Sequence, residues 1–113
     1  MDFNEALNTF LVKCQAKLDS YYERRFTHVK APKLEIDEGT KFVRIVSSSE
    51  SSRSVFCFVA KVDSVTKGLG EVRTGDVLKS ASWKAPARGR RGTIFTEDPA
   101  EYGVNEYGAN YFR

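Results

Sequence analysis

The run Arg53-Ser54-Val55-Phe56-Cys57-Phe58-Val59-Ala60-Lys61-Val62 is the most β-prone segment of the chain, and its composition settles the architecture. Val55 to Val59 carry β-branched and aromatic side chains at odd and even positions alike, the mark of a central strand covered on both faces. Upstream, Leu34 and Ile36 alternate with Glu35 and Asp37. Glu38-Gly39-Thr40 then turns the chain, and Lys41-Phe42-Val43-Arg44-Ile45-Val46 returns it, which spells a hairpin. Between that hairpin and the central run, residues 47–52 read Ser-Ser-Ser-Glu-Ser-Ser, a polar surface loop. Downstream, Asp63 to Thr74 reads either as a loop around Lys67-Gly68-Leu69-Gly70 or as a long hairpin with Glu71, Val72 and Arg73 on the return, and the hairpin is favoured. After the turn signal Thr74-Gly75-Asp76, Val77 to Trp83 reads as a strand. Val77, Lys79 and Ala81 lie on one side of it, and Leu78, Ser80 and Ser82 on the other. Pro86 lacks an amide donor and is expected to end any pairing.

A sheet with such a central strand needs an apolar cover, and the amino-terminal segment supplies one. Behind the caps Asp2 and Asn4, apolar residues recur at Phe3, Leu7, Phe10, Leu11, Cys14, Leu18, Tyr21, Tyr22 and Phe26. Glu5, Asn8, Lys13, Lys17, Ser20 and Arg24 take the opposite side. No Gly or Pro interrupts this three-and-four spacing, so a helix of about six turns is expected. Its stripe fits one side of a sheet; half of a dimer seam is the rival arrangement. The expected fold class is therefore α+β: a long amino-terminal helix (1–27) packed on an antiparallel meander of about four strands (33–83). A basic loop and an irregular, tyrosine-rich tail (84–113) complete a single domain.

Composition agrees with one domain. The chain has 113 residues, 41% of them hydrophobic, enough for a modest core without staples. Cys14 and Cys57 lie in apolar stretches and read as reduced, buried thiols. The first residues, Met-Asp-Phe-Asn-Glu, lack the pattern of a secretory signal, and no apolar run approaches a membrane span, so an intracellular, soluble protein with no membrane partner is expected.

The net charge of +3 is weak, but its placement is uneven. Residues 1–52 balance eight cations with eight acids, so the whole excess lies in residues 53–113. There, Lys79 to Arg91 reads Lys-Ser-Ala-Ser-Trp-Lys-Ala-Pro-Ala-Arg-Gly-Arg-Arg, five cations and one tryptophan with no acid. Such a stretch projects a positive potential and takes an anionic partner. In the binding reading, Lys79, Lys84, Arg88, Arg90 and Arg91 neutralise phosphates. Trp83, with Phe95 or a tail tyrosine, stacks on bases, while Gly89 and Gly92 let the backbone approach. Single strands and loops suit that combination, and a nucleotide is a smaller version of the same ligand. Two structural readings stand beside it. Trp83 can be a core-rim anchor, and the acids Glu97, Asp98, Glu101 and Glu106 can fold back to neutralise the loop. The tail residues Tyr107, Tyr111 and Phe112 either tie across the sheet or present rings to a protein partner.

Signatures of catalysis are sparse. The single histidine, His28, sits just past the helix as a cap or surface residue, with no nucleophile arranged around it. The two cysteines lack zinc spacing, Gly68-Leu69-Gly70 lacks the context of a phosphate cradle, and no cofactor is expected. Asp37 with Glu38, or Asp76 with Lys79, offers a third reading as a magnesium-dependent nuclease, although these positions look like turns.

The run Gly75-Asp76-Val77-Leu78-Lys79-Ser80-Ala81-Ser82-Trp83-Lys84-Ala85-Pro86-Ala87 continues into Arg91-Gly92-Thr93-Ile94-Phe95 and, later, Tyr107-Gly108-Ala109-Asn110-Tyr111. These motifs resemble a family of short hypothetical proteins of tailed bacteriophages and viral metagenomes, with similarity over the whole chain. Residues 63–73 are longer here than the tight connection expected in that family. The resemblance implies a setting, the cytoplasm of an infected bacterium, and tasks such as genome handling, host interference or a minor virion role. It implies no activity. The expectation taken forward is a non-enzymatic accessory protein that binds nucleic acid, single-stranded by preference, or a nucleotide. The alternative is a module that binds a host protein through its helix face or tyrosine-rich tail.

Overall fold

The computed structural model describes residues 2–26, 29–50 and 52–95, together with the backbone of residues 104–105 and 108–109. Helix α1 spans Phe3–Arg25. Its first turn is capped by Asp2, whose side chain accepts from the Glu5 N–H at 2.8 Å. The helix stops where Phe26 becomes extended, with the Phe26 N–H donating to the Tyr22 carbonyl at 2.8 Å. Arg24 and Arg25 in the last turn suit the negative end of the helix dipole.

Five antiparallel strands form the sheet: β1 (Lys33–Glu38), β2 (Phe42–Ser48), β3 (Arg53–Ala60), β6 (Asp76–Ser80) and β7 (Pro86–Thr93), neighbours in that order. Between β3 and β6 the chain makes a separate hairpin of β4 (Ser64–Thr66) and β5 (Gly70–Val72), with Val65 opposite Glu71. A hairpin is thus present at residues 63–74, but it is a short one forming its own two-stranded sheet, and its return strand ends at Val72, leaving out Arg73. The serine-rich segment is shorter as a loop than its composition suggests, because Ser47 and Ser48 continue β2 opposite Ser54 and Arg53. Ser49 and Ser52 then close the tip, the Ser49 N–H donating to the Ser52 carbonyl at 2.9 Å.

The sheet has one strand more than the four expected from sequence, and the fifth is the segment read as a basic loop. β6 ends at Ser80, short of Trp83, and Pro86 stands opposite Ser80 as the first residue of β7 instead of ending the pairing. A proline at the first position of an edge strand need donate nothing to the ladder, which is why it is tolerated there. β7 pairs irregularly with β6: Arg90 lies opposite Leu78 and Gly92 opposite Val77, with register shifts on either side of Leu78. Gly89, at φ 99°, supplies one of the backbone turns this needs.

The helix covers one face of the sheet. Ala6, Leu7, Phe10, Cys14 and Leu18 of α1 pack with Val43, Ile45, Phe56, Cys57, Val59, Val77 and Ile94 in one buried cluster. Phe56 and Cys57, although adjacent, both join it. The pairing jumps from Ile45–Cys57 to Val46–Val55, so Phe56 occupies a bulge. Both cysteines are free and buried. Burial pushes the Cys14 thiol up to about 12 and raises Cys57 as well. Gln15 guards the entry to edge strand β1: its side-chain oxygen accepts from the Leu34 N–H at 2.7 Å and its nitrogen donates to the Pro32 carbonyl at 2.9 Å. The amide thus mimics a neighbouring strand.

On the other face a smaller cluster of Phe58, Ala60, Val72 and Leu78 is closed by the inserted hairpin, with Phe42, Val55 and Leu69 packed against it. The two clusters meet at Gly75, whose N–H donates to the Ala60 carbonyl at 2.8 Å and whose carbonyl accepts from Ile94 at 2.9 Å. Gly75 has φ 91°, and a β-carbon there would run into the Phe95 ring, so only glycine fits without displacement. Within the tail, the short strands β8 (Val104–Asn105) and β9 (Gly108–Ala109) pair with each other; β8 lies near α1, and β9 near β3 and β6. Tyr107, Tyr111, Phe112 and the acids Glu97, Asp98, Glu101 and Glu106 lie outside the described residues, as does His28. No described helix is long and apolar enough to cross a membrane.

Candidate functional site

The site develops from the β6–β7 connection, residues 81–85. The Ala81 and Ser82 N–H groups both donate to the Ala85 carbonyl, at 3.0 and 3.1 Å, and the Lys84 N–H donates to the Ser82 hydroxyl at 3.3 Å. This tight turn places Trp83 at its apex, 40% exposed.

Antiparallel register sets what lies beneath. Asp37 is opposite Arg44, Arg44 opposite Phe58, Phe58 opposite Leu78 and Leu78 opposite Arg90, one row crossing all five strands. Phe58 and Leu78 belong to the cluster away from the helix, so the whole row lies on that face. Arg44 is its hinge. Its Nη1 pairs with Asp37, and its Nε donates to the Trp83 carbonyl at 2.8 Å. Its guanidinium lies 5.1 Å from the Trp83 ring and 5.8 Å from that of Phe58. A second guanidinium, that of Arg53, lies 5.8 Å from the same indole and 3.4 Å from the Glu35 carboxylate. Trp83 is therefore an anchored ring as well as a half-open one, held by two guanidinium groups and not by the apolar clusters.

The six residues singled out from sequence separate. Trp83 and Lys84 share the turn, both exposed. Arg90 belongs to the transverse row; its side chain is 60% exposed and stands 3.8 Å from the Asp76 carboxylate. Arg88 is exposed, with its guanidinium beside Gly70 of the inserted hairpin and so on the same side of the sheet. Arg91 is used differently. It is half-buried and turns back on its own strand, donating from Nη1 to the Arg88 and Gly89 carbonyls at 3.2 and 2.7 Å, which ties the irregular part of β7. Lys79 follows Leu78 on β6, and strand alternation sends it to the helix side, away from Trp83. Phe95 stacks over Gly75 rather than beside Trp83. The site is thus Trp83, Lys84, Arg88 and Arg90, without Lys79 and Arg91, and with Arg44 and Arg53 added. Those two were missed. Arg44 stands between the apolar residues Val43 and Ile45, a signal that it faces away from the helix, but nothing local announces its partner in the turn.

The carboxylates of the nuclease reading are occupied elsewhere. Asp37 holds Arg44, Glu38 lies 3.7 Å from the Lys61 ammonium, and Asp76, only 5% exposed, accepts from the Arg73 N–H at 2.9 Å. Among the described residues, no three His, Cys, Asp or Glu side chains gather as a metal site would require. What the arrangement can do chemically is hold an anion: Lys84, Arg88 and Arg90 are exposed cations on the hairpin whose turn carries the half-exposed Trp83. Neither Lys84 nor Arg88 has an ion-pair partner among the described residues.

A family model described as "Family of unknown function (DUF7717)" matches residues 2–109. No curated protein and no solved structure matches the chain.

Proposed function

Because the chain belongs to this family of unknown function, we propose from its own surface that it is a non-enzymatic binding module for single-stranded nucleic acid. The strand would be held by its phosphates along the β6–β7 turn and edge strand β7. The observation that carries the reading is the set of three exposed cations on one hairpin whose turn carries a half-exposed tryptophan, on a sheet face the helix leaves open. A cationic track with an aromatic platform suits unpaired nucleotides, whose bases are free to stack. A duplex suits it less. Its bases are stacked on one another, and the exposed side of α1 mixes Lys13, Lys17 and Arg24 with Glu5, Asp19 and Glu23 instead of presenting a basic groove-reading surface. With the resemblance to short phage proteins, the setting proposed is the cytoplasm of an infected bacterium and the task genome handling.

Fluorescence anisotropy with labelled single-stranded DNA, single-stranded RNA and duplex DNA, each at two salt concentrations, tests the reading. Single strands bind best, and affinity falls steeply with salt. Replacing Lys84, Arg88 and Arg90 together by Ala lowers affinity at least about tenfold and flattens the logarithmic salt slope by about two. The melting temperature falls only modestly, Lys84 and Arg88 being exposed and the main cost coming from Arg90, whose removal takes away the cation 3.8 Å from the buried Asp76 carboxylate. Absence of binding at low salt, or equal binding by the triple variant, removes the reading and turns attention to a protein partner. Leu7, Phe10, Cys14 and Leu18 of the α1 stripe are buried against the sheet, so such a partner would use the part of the helix that stays open, around Phe26, or the tyrosine-rich tail.

A further inference from the structure

We propose that Arg53 is a resident cap on the Trp83 ring, and that an unpaired nucleobase of the bound strand takes its place. This rests on the nucleic-acid reading above and adds to it a position for the base and a residue that controls access to that position.

Two guanidinium groups share the one indole, and they are held differently. Arg44 is 22% exposed in its side chain and is fixed by Asp37, the Trp83 carbonyl, Phe58 and the indole together. Withdrawing it would break four contacts at once and release the turn. Arg53 is 55% exposed and sits at the outer end of β3; among the described residues its side chain meets Glu35, itself half-exposed and 3.4 Å away, and the ring at 5.8 Å. A pair so open to water is weak and exchanges readily. The ring stays in place when Arg53 leaves, because Arg44 holds the backbone of Trp83 independently of Arg53. The indole therefore has a permanent support and a replaceable cover. An aromatic base offers the ring more contact area than a guanidinium does, and it arrives tethered to phosphates that Lys84, Arg88 and Arg90 can hold. The displaced Arg53 keeps its Glu35 partner, so the exchange leaves no charge buried.

The test uses the full chain and two labelled strands of equal length, one carrying bases and one abasic throughout. The ratio of their affinities measures what the bases contribute, independently of phosphate contacts. The chain has one tryptophan, so emission excited at the red edge, where its five tyrosines do not absorb, reports Trp83 alone. In the native protein the base-bearing strand binds more tightly by about fivefold to a hundredfold, the range of one stacked base, and quenches the emission. The abasic strand binds through its phosphates without quenching. In Arg53→Ala, and in Arg53→Gln as a second variant that keeps the stem, the ratio widens about threefold or more even if both strands lose some affinity with the lost charge. An unchanged or narrower ratio in both variants overturns the cap, and so does a bound base-bearing strand that leaves the emission untouched; in either case phosphate binding survives. If neither strand binds the native protein at low salt, the underlying reading falls and the proposal with it.

Discussion

The face of the sheet under α1 and the face opposite it are made by the same strands, residue by alternate residue, yet they are finished differently. Under the helix, Val43, Ile45, Cys57, Val59 and Val77 meet a continuous apolar stripe, and the interior is closed. Opposite, Phe58 and Leu78 share their row with Arg44 and Arg90, and cover comes in two pieces, the inserted hairpin and the Trp83 turn. One face is held by apolar burial, which tolerates little change. The other is held near its rim by charge-assisted and cation–π contacts that are individually modest and partly open to water. Stability should therefore reside mainly on the first face and ligand chemistry on the second.

The largest expected effect breaks the closed face. Phe10 is fully buried, and Phe10→Ala leaves a cavity beneath the central strand, costing about 3–5 kcal/mol of folding free energy. Chemical denaturation checks this. A loss below about 1 kcal/mol would mean that the helix is not what closes the core, and the contrast between the faces would fail.

A smaller effect sharpens the account of the open face by separating its two arginines. Arg44→Ala removes an ion pair, a hydrogen bond to the Trp83 carbonyl and two ring contacts, a loss of about 1–2 kcal/mol. The freed turn should shift Trp83 emission to the red. Arg53→Ala should cost no more than about 0.5 kcal/mol, since its partners are exposed. Equal losses for the two variants would show that neither is a fixed support, and that the turn is held by its own hydrogen bonds.

The same division explains what could be read from the sequence. Helix α1 was legible because its cap, its uninterrupted stripe and its apolar period all agree. The hairpin β1–β2 and the central strand were legible for the same reason. β7 was not: Pro86, Gly89 and Gly92 are turn residues, and Arg88, Arg90 and Arg91 have little strand preference, so only bulged pairing with β6 makes this segment a strand. At the site, Trp83, Lys84, Arg88 and Arg90 were visible as a run of uncompensated charge around a tryptophan. Lys79 and Arg91 belonged to the same run and could not be told apart from them, because which face a side chain takes depends on where the bulges fall. Arg44 lies 39 residues from the carbonyl it holds, and no local pattern carries that contact.

The smallest expected effect concerns how the inserted hairpin is tied to the open face. Asp63 opens the insertion and Thr74 closes it, and the Asp63 carboxylate accepts from both the Thr74 N–H, at 2.7 Å, and its hydroxyl, at 2.9 Å. Those donors hold the carboxyl below its ordinary value of 3.8, assisted by the charge of Arg73. A carboxyl depressed by folding contributes fully above its unfolded-state value, and the contribution drains away as pH falls through the lower folded-state value. Acidification below 3.8 should therefore loosen the base of the β4–β5 hairpin before it affects the amides between α1 and the sheet, and hydrogen exchange resolved by residue would show the order. In Asp63→Asn, which keeps an acceptor oxygen but does not titrate, the hairpin should lose this separate acid response. Simultaneous loosening of hairpin and helix in the native protein would mean that the two faces open as one unit, and that the open face has no independent give with which to receive a ligand.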